Sequence, residues 1–178
     1  MAKLWWANQS PELQAYYDTE WGFEQHDDRA LFELLALEIM QIGLNWQLVL
    51  KKRPALNRAF HGFDPKAVAG MAPAEIEEMM QDPQLIRNRR KLEAVVTNAK
   101  AVLRIQRTHG SFAAYLWTFV DGKPVVNAPV DGNDSQSDAT VCGHRQGHEG
   151  AGADHGWAGD GLQLDARRRV GQRPPGGD

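Results

Sequence analysis

The chain has almost no cysteine. Its 178 residues include one, Cys142, which excludes an intrachain disulfide and fits a reducing, cytoplasmic setting. No apolar run approaches the roughly 20 residues of a bilayer crossing, so no membrane partner is expected. The N-terminus, MAKLWWANQS, has no apolar signal core. Neither charge sign is in large excess: 20 Lys and Arg stand against 23 Asp and Glu, a net charge of -3. That balance argues against a protein that grips nucleic acid by bulk charge and leaves a local basic patch as the alternative. Sustained period-two alternation is also missing, so strands should be few. The 42% hydrophobic and 24% charged content suits one soluble domain with an appendage.

The last quarter of the chain lacks still more. Residues 131–178 contain no Ile, Met, Phe, Tyr or Lys and hold about two thirds of the 17 glycines. Such a segment cannot bury enough apolar surface to offset its ordering entropy. The chain therefore divides into a helical domain, 1–130, and a Gly-, Asp- and Arg-rich tail, 131–178, expected to be disordered or irregular.

Up to about Pro129 the sequence reads as a dense series of short helices, an all-α fold. Ser10 before Pro11 places a capping hydroxyl ahead of a proline at the first helical position. Asp27 and Asp28 can cap the helix that carries Leu31, Phe32, Leu34, Leu35 and Leu37. Asp64-Pro65 and Pro73 open two more. Leu92, Val95, Val96, Ala99, Val102 and Leu103 recur at three- and four-residue spacing, predicting a long amphipathic helix over 90–107.

The most informative stretch is Leu31–Arg53, an apolar helix with the carboxylate of Glu38 set among leucines, followed by Gly43, Trp46 and a basic exit. A carboxylate on an apolar helix is costly to bury unless a cation or a hydrogen-bond donor meets it. Trp46, one to two turns further along, would supply a flat stacking surface. Acid plus aromatic platform is what a pocket for a cationic, planar ligand requires. The other reading keeps Glu38 on the solvent side and Trp46 in an ordinary core.

A set of short motifs adds to this. Ala15-Tyr16-Tyr17-Asp18-Thr19-Glu20-Trp21-Gly22 is followed by Leu31-Phe32-Glu33, Leu37-Glu38 and Gln41-Ile42-Gly43-Leu44-Asn45-Trp46. Val49 to Arg53, Phe60 to Pro65, Ile86 to Lys91 and Leu116 to Val120 continue in order. Over roughly 70% of its length the chain resembles the bacterial DNA-3-methyladenine glycosylase type I family.

The resemblance implies a helix-hairpin-helix DNA repair fold that excises 3-methyladenine from alkylated double-stranded DNA by hydrolysing its N-glycosidic bond, acting as a monomer. It implies Glu38 as the lesion-recognition and catalytic residue, with Tyr16 and Trp46 stacking on the base and Trp6 and Trp21 as nearby walls. The lesion would have to be flipped out of the duplex to reach them. Asp82 to Arg90 lies between two predicted helices and is the candidate hairpin, with Arg87, Asn88, Arg89, Arg90 and Lys91 as the DNA-binding patch. Lys51, Lys52 and Arg53 are a second basic candidate. No catalytic lysine motif is evident, so strand cleavage through a Schiff base is not indicated.

The chain also departs from the family. The N-terminal positions matching the family's structural zinc ligands read Leu4 and Tyr17, which cannot hold zinc, so no cofactor is expected. Cys142, His144, His148 and His155 in the tail match no common metal-site spacing. The tail lacks the family's C-terminal helices. Yet a legal choice of codons, read one nucleotide later over 134–178, turns it into a family-like peptide. The expectation is a shifted reading frame beginning between Val130 and Ser137, leaving a marginally stable chain of impaired activity. The alternative to an enzyme is a non-enzymatic helical DNA- or damage-binding module, or an inactive remnant.

Overall fold

The longest helix sets the architecture. A computed structural model of the chain describes residues 5–123; Leu4 and the whole of the tail, with Cys142, His144, His148 and His155, lie outside the described residues. Within them the elements are a 3-10 turn at Trp5–Asn8, α1 (Pro11–Thr19), α2 (Asp28–Gln41), α3 (Trp46–Ala59), a 3-10 turn at His61–Phe63, α4 (Pro65–Ala69), α5 (Pro73–Gln81), α6 (Arg89–His109), α7 (Phe112–Trp117) and a last 3-10 turn at Thr118–Val120. Among the described residues there is no strand, as the lack of alternation predicted.

Helix α6 runs two residues past the predicted range at its C-terminal end and starts one residue earlier. Leu92, Val95, Ala99 and Val102 are fully buried along one stripe, and α2, α4, α5 and α7 pack against it. Each such Leu or Val contributes about 1.5–3 kcal/mol of transfer free energy. Phe32, Phe60, Phe63, Leu37 and Met40 complete this core from α2 and the α3–α4 turn. Helix α3 packs on α2, adds Val49, Ala55 and Leu56 to the core, and also contacts α1.

The helix starts follow their caps. The Ser10 hydroxyl accepts from the Leu13 amide at 3.2 Å, Asp27 from Ala30 at 2.8 Å, and Asp64 from Lys66 at 2.8 Å. Helix α5 begins after Ala72, which has no cap of its own; the Glu75 carboxylate reaches back to the Ala72 amide at 2.7 Å. Asp28 acts elsewhere than expected. Its carboxylate accepts from the amides of Phe112 and Ala113, both at 2.8 Å, and from Gln106 Nε2 at 2.7 Å. It caps α7 while sitting in the first turn of α2.

The apolar helix that carries Glu38 stops at Gln41, so Trp46 is not a later turn of it. Gly43 takes φ +75°, a left-handed conformation that costs glycine little. Asn45 then caps a fresh helix by accepting from the Leu48 amide at 2.7 Å. Trp46 is the first residue of α3.

Candidate functional site

Glu38 lies in the last turn of α2, half-buried, on a stripe with Leu34 and Gln41 that is also half-buried. Its neighbours Leu37, Ile39 and Met40 face the core. The glutamate is thus at the rim of the apolar interior rather than within it or fully in solvent. Four residues separate the end of its helix from Trp46.

The aromatic residues singled out from the sequence converge. Tyr16, buried on α1, meets Trp46 edge-on with ring centroids 5.4 Å apart and planes at 67°. Trp21 is 6.3 Å from Tyr16 and 5.4 Å from Trp6, the latter pair at 81°. Leu13 and Leu50 fill the floor of the group. Trp6–Trp21 and Tyr16–Trp46 pack edge to face, a preferred arrangement of aromatic quadrupoles, Tyr16–Trp21 is tilted at 59°, and Trp6, Trp21 and Trp46 are each left half-buried. Tyr17 packs edge-on against Trp6 at 5.5 Å. Among the described residues there is no group of three or more His, Cys, Asp or Glu that could hold a metal ion.

The segment joining α5 to α6, residues 82–88, is a tight turn between two helices, and its Asn88 side chain caps α6 by accepting from the Lys91 amide at 3.2 Å. Leu85 and Ile86 anchor it in the core. Arg87 and Arg90 are exposed, with no acidic partner among the described residues. Lys51 is exposed on α3. The other basic candidates are engaged. Arg89 forms a forked pair with Glu77, its Nη2 donating to Oε2 at 2.6 Å, which raises the guanidinium and lowers the carboxyl from their ordinary values. Lys52 donates from Nζ to the carbonyls of Pro83, Gln84 and Leu85 at 2.9–3.3 Å. Lys91 donates to the carbonyls of Met40, at 2.9 Å, and Ile42. Arg53 bridges Glu33 at 2.8 Å and Glu20 at 2.6 Å. Burial would lower its basicity, but the two carboxylates outweigh that and hold it raised.

The α2–α3 loop, residues 42–45, follows the helix that carries the carboxylate and receives Lys91 at its Ile42 carbonyl. Ile42 there is 69% exposed, one of two large hydrophobic residues turned to solvent among the described residues.

The family model for methyladenine glycosylase matches residues 6–141. The chain is 45% identical over 126 residues to a DNA-3-methyladenine glycosylase of Haemophilus influenzae, covering 71% of this chain and 68% of that protein. Over the same length it is 40% identical to DNA-3-methyladenine glycosylase 1 of Escherichia coli, covering 67% of it. The chain belongs to the methyladenine glycosylase family. Its fold superimposes with a TM-score of 0.67 on a tyrosine-to-phenylalanine variant of a 3-methyladenine DNA glycosylase I in complex with 3-methyladenine, at 39% identity, covering 68% of this chain and 66% of that one. This family member thus spans about two thirds of the length of the relatives it matches.

The resemblance brought Tyr16, Trp46, Trp21 and Trp6 into one group, and the sequence placed the turn between α5 and α6. It missed the internal use of Lys52, Lys91 and Arg53, and the double cap by Asp28. Their partners lie 20–85 residues away and are mostly backbone atoms, which leave no mark on a sequence pattern.

Proposed function

We propose that this chain is a monofunctional DNA glycosylase that removes 3-methyladenine from alkylated double-stranded DNA by hydrolysing the N-glycosidic bond. The observation that carries the reading is the convergence of Tyr16, Trp21, Trp46 and Trp6 beside the end of the Glu38 helix, within the segment matched by the family. Methylation at ring position 3 gives adenine a positive charge and makes it a good leaving group. The enzyme then needs selection more than strong acid catalysis. An electron-poor ring gains from stacking on tryptophan and tyrosine faces, and a carboxylate accepts hydrogen bonds from its edge. Neutral adenine gains less from both. Water attacks the anomeric carbon of the sugar while the base departs with the bonding electron pair. No cofactor enters these steps.

The lesion reaches the site flipped out of the duplex, at a cost of a few kcal/mol for unstacking. Exposed Arg87, Arg90 and Lys51 are the side chains best suited to phosphate contacts, with the amides of the 82–88 turn and the start of α6 beside them. The protein acts as a monomer in the cytoplasm. Among the described residues no helix is long and apolar enough to cross a membrane.

The test is release of free 3-methyladenine from methylated DNA by the purified chain, with Glu38→Gln alongside. Release that falls in the variant supports the reading. DNA binding without base release from the unaltered chain would instead favour a damage-binding module.

A further inference from the structure

Two cations that the sequence assigns to DNA are turned inward. Lys91, in the first turn of α6, reaches back across the fold to Met40 and Ile42, about 50 residues earlier in the chain. Those carbonyls belong to the end of α2 and the residue after it, where a helix leaves acceptors without intrahelical partners. The negative end of the helix dipole also lies there. The first half of the loop that follows is open, while Leu44 in its second half packs against the main core. Ile42 is largely exposed, and a side chain built on Gly43 would meet nothing within 4 Å. Besides Lys91 and the packing of Leu44, the loop is tied by the Leu44 amide donating to the Gln41 carbonyl at 2.6 Å and by the Asn45 cap. On the other side of the hairpin, Lys52 on α3 holds the carbonyls of residues 83–85.

We propose that Lys91 is a positioning residue: it clamps the end of α2 to the hairpin helix, fixing the Ile42–Asn45 loop and the start of α3 relative to the segment that faces DNA. Lys52 makes the reciprocal tie, so hairpin and loop form one unit. A phosphate bound at the hairpin then sets where Trp46 and Glu38 stand with respect to the strand. The chemistry of the site agrees. A lysine serving phosphates is best left solvated, whereas Lys91 is half-buried and its ammonium is held below the usual lysine range by desolvation. A cation accepts that burial only with strong acceptors around it, and two carbonyls supply them. The last step of the proposal, the effect on base release, rests on the glycosylase reading.

The experiment compares the full chain with Lys91→Met and Lys91→Gln, the latter keeping a neutral donor. Backbone amide exchange over residues 42–46 should quicken at least tenfold in Lys91→Met, less in Lys91→Gln, while α6 beyond its first turn stays as protected as before. The dependence of log affinity for methylated duplex on log salt concentration should keep its slope in both variants. Single-turnover base release should fall while DNA affinity changes little. Unchanged exchange over 42–46 would overturn the clamp. So would a salt slope shallower by about one, the mark of a lost phosphate contact. If Lys91→Met fails to fold, Lys91→Gln decides by the same two readouts. An unaltered chain that releases no base sinks the glycosylase reading alone, since exchange reports the clamp directly.

Discussion

Two apolar regions of this molecule are built on different terms. The core around α6 draws on helices α2 to α7 and closes over its largest side chains: Phe32, Phe60, Leu56 and Leu92 have no exposed surface. The aromatic group on α1 has only three buried members, Leu13, Tyr16 and Leu50, and three tryptophans that stay half open. The first is packed for stability. The second places large ring faces beside solvent, at the cost of leaving apolar area wet, which is the condition for a stacking site. The lesson is that the family's motifs serve both regions: Phe32, Leu37 and Phe60 close the main core, while Trp46 packs at its edge and keeps part of its ring open.

Four changes would break or sharpen that contrast. The largest effect is expected from Glu38→Gln, which removes the charge that selects a cationic base. Base release should fall by about 100-fold, roughly 2.7 kcal/mol in the transition state. Its urea unfolding midpoint should move little, because Glu38 sits at the rim. A midpoint that drops as far as activity does would make Glu38 a structural residue. Leu92→Ala should do the reverse. Removing a fully buried leucine should cost about 2–5 kcal/mol of unfolding free energy. Base release per folded molecule should be preserved, as checked by activity normalised to the native fraction.

Asp28→Asn comes next. It keeps the shape but weakens three hydrogen bonds to a half-buried carboxylate, for a loss of about 1–3 kcal/mol. Amide exchange at Phe112 and Ala113 should rise before that of α2. The smallest effect is on pH. Glu75 is lowered from 4.5 by the Ala72 amide and then by His61, Glu12 by its own amide and then the Ser10 hydroxyl, and Glu77 by Arg89. Their folded values lie below the unfolded one. Their contribution is therefore complete above about 4.5 and fades as pH falls through the lower folded values. Glu75→Gln should flatten thermal stability against pH in that acid window. An unchanged profile would mean that Glu75 titrates alike folded and unfolded.

Much of the fold was legible in advance. Ser10, Asp27, Asp64 and Pro73 each mark a helix start because a cap or a fixed φ acts within three residues. The stripe from Leu92 to Val102 gave α6 within two residues, because its period of 3.6 is dictated by one buried face. The break between α2 and α3 was harder. Gly43 and Asn45 signal it, yet the apolar run on both sides reads as continuous. The aromatic group was reached through motif resemblance, since the spacing from Tyr16 to Trp46 carries no periodicity. Least legible were Lys52, Lys91 and Arg53. A basic residue's sequence neighbours say that it is charged, and only the folded chain says which carbonyl or carboxylate takes that charge.

The carboxylate of Asp28 has one more consequence, for the order in which the molecule can be completed. It sits at the start of α2, but its two amide partners are 84 and 85 residues further on. During synthesis α2 can form and collapse onto α3 long before Phe112 leaves the ribosome. Until then this acid is hydrated, and the helix it will cap does not exist. The docking of α7 is thus a late, non-local event with the loop-closure cost that slows such steps. A nascent chain halted before residue 112 would carry the whole aromatic group and the 82–88 turn, while the end of α6 still lacks the neighbour that shields it.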